Sequence, residues 1–252
     1  WAAGRAGSLI IGASILVAGG LVMAAGLRIV LRAITILAIV GLVGLMLSAL
    51  VLLLNDRQAF VNRFNDVAAP MIGTDDAYGR IISLAEENGL PAAPEGSAPF
   101  SSAVLPTMVI AFYAIGYCVW SIYYAGEFKG ARERRRQLLS MLLPTVLNLV
   151  VFVVMYGLVF SRVGYEFVNA ASYLYNYVPD QYPLSVPPFV PFFASILAGN
   201  SVLSLIMAVA WVTWPIAMVF LIMVGFSRLI FAWSFDGVMP RWLSDVSART
   251  HA

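Results

Sequence analysis

Between Gly96 and Gly126 the sequence carries no charged residue, and the run stops abruptly at Glu127-Phe128-Lys129, followed by the basic cluster Arg132-Glu133-Arg134-Arg135-Arg136. A run of this length cannot be the surface of a water-soluble domain. It fits a helix through the ~30 Å hydrocarbon core of a bilayer, which takes about 20 apolar residues, meeting the cytoplasm at its basic end. The rest of the chain agrees: 61% of residues are hydrophobic, 11% are charged, and the mean hydropathy is +0.88. The chain reads as an all-α polytopic membrane protein, because its long apolar runs lack the period-2 alternation of a barrel strand.

Five transmembrane helices are expected, at residues 8–26, 33–54, 102–125, 138–160 and 201–233. The last is cut out of a longer uncharged stretch, Gln181 to Ser227, which is too long for a single crossing. Pro183, Pro187, Pro188 and Pro191 cannot all sit inside one regular helix, so Tyr182 to Ala198 is expected to form a compact hydrophobic segment outside the fifth span. The connections 55–101 and 161–200 are then loops on one side. The first carries Asp75-Asp76, Glu86-Glu87-Asn88-Gly89 and Pro91-Ala92-Ala93-Pro94, with room for a short amphipathic helix around Tyr78 to Glu87.

Orientation follows from Lys and Arg, which are retained on the cytoplasmic side of short loops. One alternate set of flanks holds ten of the 15 basic residues: Arg28, Arg32, Lys129, Arg132, Arg134, Arg135, Arg136, Arg228, Arg241 and Arg249. The other holds Arg5, Arg57, Arg63, Arg80 and Arg162. The N-terminal end is therefore expected to be extracytoplasmic and the C-terminal end cytoplasmic, in the cell membrane. Trp1 is not an initiator and no signal-peptide pattern follows it, so the chain reads as one piece of a longer protein, a fragment of a single transmembrane domain over 1–252.

Catalytic material is sparse. The single histidine, His251, lies at the extreme end and the single cysteine, Cys118, lies in a span, which leaves nothing for a metal site or a Ser-His or Cys-His nucleophile. No GxxxxGK[ST] or GxGxxG phosphate loop is present. The paired carboxylates Asp75-Asp76 and Glu86-Glu87 point apart and suit a solvated surface. Arg132 to Arg136, placed directly after a span, suits membrane topology and anionic headgroups rather than nucleic acid. No enzyme, no cofactor and no metal are expected, and transport remains, with backbone and neutral side chains binding the solute. Within the third span Phe112-Tyr113-Ala114-Ile115-Gly116-Tyr117 places a glycine among aromatics. Gly116 either lets the helix open where a polar ligand satisfies the freed N–H and C=O groups, or lets a neighbouring helix pack closely while the aromatics face lipid or core.

Two segments carry a family resemblance. Tyr123-Tyr124-Ala125-Gly126-Glu127-Phe128-Lys129-Gly130 resembles the "GEvKnP" signature that ends the sixth transmembrane helix of permeases of the amino acid-polyamine-organocation superfamily. Ser227-Arg228-Leu229-Ile230-Phe231-Ala232-Trp233-Ser234-Phe235-Asp236-Gly237-Val238-Met239-Pro240-Arg241 resembles the "sR.lfAmarDG.lP" that closes the eighth. The Asn-Pro after the lysine is Gly130-Ala131 here. The resemblance covers the whole chain as helices four to eight and implies part of an inverted-repeat (LeuT-like) bundle.

Further expectations follow from that resemblance. Amino acids or polyamines would be the substrate, moved by alternating access, and the rest of the permease chain would be a partner. Carried over from the broken sixth helix, the substrate-binding positions would be Phe112, Tyr113, Ile115, Gly116 and Tyr117. In the fifth span Trp211-Val212-Thr213-Trp214-Pro215 lies near mid-membrane, and Thr213 is either a further binding group or bonded to its own helix backbone. From Pro215 to Phe226 there is no hydroxyl or charge, which favours protons or exchange over sodium as the coupling mode. Glu127, Lys129, Arg228 and Asp236 would form a cytoplasmic gate, or else are ordinary interfacial charges. The competing reading from another class is a polytopic sensor that binds a similar solute without moving it.

Overall fold

A computed structural model of the chain describes residues 5–91, 108 and 133–245. Among them there is no strand. The helices are α1 (Arg5–Ala24), α2 (Leu27–Leu54), α3 (Arg57–Ile72), α4 (Ala77–Glu87), α5 (Arg134–Val159), α6 (Tyr165–Tyr177), α7 (Val190–Ala198) and α8 (Ser201–Phe235). A π-turn, Phe160–Gly164, joins α5 to α6. Four stretches of the described residues are long and apolar enough to cross a membrane: Ala6–Ala24, Leu27–Leu54, Arg134–Tyr177 and Ser201–Phe235. They cover four of the five expected spans; the fifth, residues 102–125, lies outside the described residues.

Local signals explain where the helices start and stop. Ala25 and Gly26, the latter at φ 108°, make the whole turn between α1 and α2, so α2 begins earlier than the uncharged run and takes Arg28 and Arg32 into its first turns. The Asp56 carboxylate accepts from the Ala59 N–H at 2.7 Å and caps α3. Gly73, in the left-handed region, ends it by donating to the Ala69 carbonyl. Asp76 caps α4 through the Gly79 N–H, and Asn200 caps α8 by accepting from the Val202 and Leu203 N–H groups. Proline interrupts none of the long helices: Pro144 lies within α5 and Pro215 within α8.

The connections are more structured than the sequence reading expects. Residues 55–101 hold α3 as well as the short helix foreseen near Tyr78–Glu87, and residues 161–200 hold α6 and α7 rather than a loop. The reason is amphipathicity. Phe60, Phe64 and Ala68 on α3, and Phe167, Ala170, Ala171 and Leu174 on α6, recur at helical spacing and are buried. Arg57, Arg63, Asp66 and Glu166 interrupt the charge-free pattern by which spans are recognised.

The chain divides into two compact units, Trp1–Leu45 with Val209–Ala252, and Met46–Ala208. The division falls within α2 and α8. In the second unit α3, α4, α6 and α7 form a cluster of short helices around Phe60, Phe64, Tyr78, Phe167 and Phe193. Each ring so buried contributes about 1.5–3 kcal/mol of transfer free energy.

Candidate functional site

In the first unit α2 and α8 meet along a glycine seam. Gly41 and Gly44 are buried on one face of α2. A Cβ on Gly41 would overlap the indole of Trp214, and one on Gly44 would overlap Ala210 Cβ and come within 3.4 Å of its Cα. Small residues at a contact face let two membrane helices approach closely, where packing rather than hydrophobicity holds them. Closer to α1, a Cβ on Gly19 would come within 2.8 Å of Met223 Sδ.

Thr213 sits in this seam. Its side chain is buried, and its hydroxyl lies 2.6 Å from the Ala210 carbonyl of its own helix and 2.9 Å from the Leu37 carbonyl of α2. A hydroxyl has one proton and two lone pairs. The proton is committed to these carbonyls, so what Thr213 has left to offer a ligand is an acceptor. Two residues on, Pro215 has no N–H to give the Trp211 carbonyl.

In the second unit a polar group is built into the aromatic cluster. The Tyr78 ring stacks on Phe167 with centroids 4.5 Å apart, and its hydroxyl donates to the Val163 carbonyl at 2.9 Å. Arg57 Nη2 donates to the same hydroxyl at 3.2 Å and lies 4.0 Å from Glu166. The approach works only because residue 164 is glycine: its φ is +99°, and a Cβ there would lie 2.5 Å from the Tyr78 hydroxyl. Elsewhere in the unit Arg63 donates to the Leu197 carbonyl at the end of α7, and the Ser48 hydroxyl lies 3.7 Å from Met207 Sδ.

Burial pushes the Tyr78 phenol above its ordinary value of 10.0, overcoming the lowering by the Arg57 guanidinium. The folded state thus holds this proton more tightly than the unfolded one. Its contribution to stability is complete below pH 10 and falls away as pH rises through the raised folded-state value. Thermal melts of the detergent-solubilised protein should show a part of the alkaline loss of stability that disappears in Tyr78→Phe; identical alkaline profiles would contradict it.

The expected site residues are only partly within view. Phe112, Tyr113, Ile115, Gly116, Tyr117, Glu127 and Lys129 lie outside the described residues. Thr213 lies in the α2–α8 seam, Arg228 is half-buried on the last turns of α8, and Asp236 is exposed just past its end, its N–H donating to the Ala232 carbonyl at 3.0 Å. No group of three or more His, Cys, Asp or Glu among the described residues could hold a metal ion. The Arg57–Tyr78–Gly164 group went unforeseen. Its members are far apart in sequence, and only the glycine is a signal in itself.

A comparison with protein families matches residues 3–252 to the amino acid permeases. The chain belongs to that family. No curated protein and no solved structure matches it. Membership points this permease to amino acid transport in a membrane rather than to enzymatic work, in agreement with the four membrane-length helices and the resemblance at Gly126-Glu127-Phe128-Lys129 and Ser227–Arg241.

Proposed function

We propose that the protein to which this chain belongs is a secondary active transporter that carries amino acids or related amines by alternating access, coupled to protons or to exchange. The observation that supports it is the family match over 3–252, which takes in every helix described above. The substrate's carboxylate and amine would meet the opened backbone around Gly116, with Phe112, Tyr113, Ile115 and Tyr117 about them. Thr213 would add an acceptor for the ammonium group. Glu127, Lys129, Arg228 and Asp236 would close the cytoplasmic side by ion pairing, with the C-terminal end of the chain in the cytoplasm and residues 55–101 and 161–200 outside.

Uptake of radiolabelled amino acids into proteoliposomes by the full-length permease tests this. Accumulation is expected to survive replacement of sodium, and to collapse either with a protonophore or when no amino acid is supplied inside. Saturable binding without accumulation would instead make the protein a solute sensor. Thr213→Val should raise KM roughly tenfold, the worth of one hydrogen bond to a charged group at about 1.5 kcal/mol, while Thr213→Ser keeps KM near its original value. An unchanged KM in Thr213→Val would restrict the hydroxyl to pairing α2 with α8.

A further inference from the structure

The junction of α5 with α6 carries an inference that does not depend on transport. Residues Arg134–Tyr177 form one continuous membrane-length stretch, but its regularity fails at Phe160–Gly164. Turns of this π type are insertions of one residue into a helix and are frequent at functional sites. At Gly164 the backbone leaves helical geometry altogether, with φ 99° and ψ 129°. The Val163 carbonyl, just before this break, accepts from the Tyr78 hydroxyl of α4, and Arg57 of α3 in turn donates to the Tyr78 phenol oxygen. A buried carbonyl needs such a donor.

Two independent features suggest a second arrangement at this point. Along the exposed face Phe152, Tyr156, Phe160 and Tyr165 form a ladder of rings with centroids 5.8, 5.9 and 5.5 Å apart. The steps are four, four and five residues, so the inserted residue keeps Tyr165 in line; in uninterrupted α-helical register Gly164 would follow Phe160 in the ladder. Within the same turn Arg162 Nε is buried without a hydrogen-bond partner. A buried orphan donor disfavours the arrangement that buries it, and any movement returning it to water relieves that cost.

We infer that Phe160–Gly164 is a two-position joint on which α6, with the helices packed against it, swings relative to α5. The Tyr78 hydroxyl on the Val163 carbonyl, backed by Arg57, latches it. Spin labels on Leu147→Cys of α5 and Tyr177→Cys of α6, both on exposed positions, would read it by pulsed electron–electron resonance in a full-length permease otherwise free of cysteine. The latched protein is expected to give one narrow distance. Tyr78→Phe, which keeps the ring stacked on Phe167, should add a second resolved distance, and Arg57→Ala should add a smaller population of the same one. If Tyr78→Phe fails to give monodisperse protein, Arg57→Ala alone decides. A single unchanged distribution in every variant that folds, or one already as broad in the starting protein, overturns the joint.

Discussion

Phe167→Ala is expected to lower the stability of the short-helix cluster by about 3–5 kcal/mol, the range for emptying a fully buried aromatic site. Phe167 is 0% exposed and touches rings from three other helices: Phe64 of α3 with centroids 4.8 Å apart, Tyr78 of α4 at 4.5 Å and Phe193 of α7 at 6.3 Å. The void would therefore be lined by side chains from every helix of the cluster. None could fill it without releasing its own contacts. Hydrogen exchange of peptides covering 57–87 and 165–198 in the detergent-solubilised protein would report the loss directly. Phe189→Ala, at a side chain 59% exposed, is the comparison and should cost under about 0.5 kcal/mol. Equal effects from the two would contradict the account of Phe167 as the centre of the cluster.

The second large effect is expected at the α2–α8 seam. Gly44→Leu should destabilise the protein by on the order of 3 kcal/mol or more, because overpacking here has no flexible side chain to yield. The obstructing atoms are Ala210 Cβ and the Ala210 backbone, so the helices themselves must separate. Gly44→Ala should cost less, about 1–3 kcal/mol. Gly12 and Gly20, by contrast, have open space where a Cβ would go. Gly12→Ala and Gly20→Ala should leave the thermal unfolding midpoint in detergent unchanged or raise it, since alanine is the better helix former by about 1 kcal/mol. A graded fall at Gly44 with no fall at Gly12 is the signature; a similar fall at all three would mean that glycine matters here for some reason other than close approach.

Much of this fold is legible in the amino-acid sequence, and the reason differs element by element. The bounds of α1, α5 and α8 follow the uncharged runs closely, because charge and unpaired backbone are costly in hydrocarbon and the sequence must obey that cost locally. Asp76 ahead of Ala77–Glu87 is a cap signal within one turn, and the helix was expected. The helix α3 was missed although Phe60, Phe64 and Ala68 are spaced four apart. Its charges place it outside a search for membrane runs, and a lone amphipathic pattern does not say what it packs against. Of the candidate binding site only Thr213 falls among the described residues. Its bond to the Ala210 carbonyl of its own helix is one of the two readings the sequence offers, whereas the Leu37 carbonyl of α2, 176 residues away, is brought to it only by packing.

The sequence by itself determined that this is a helical membrane protein, which of its segments are long and apolar enough to cross a bilayer, and that it is a permease. Each of those is a matter of local hydrophobicity, proline and glycine punctuation, or a contiguous signature. Tertiary structure alone decided which glycines are indispensable and which polar groups meet. Gly41 and Gly12 look alike in a helix of small and aliphatic residues, yet one faces the Trp214 indole and the other faces nothing. Tyr78 and Val163, 85 residues apart, become partners only because the turn at Gly164 exposes a carbonyl at the spot where α3 and α4 deliver a phenol and a guanidinium. Helical periodicity relates residues within a turn or two, and the long-range meeting of backbones is fixed only when the helices pack.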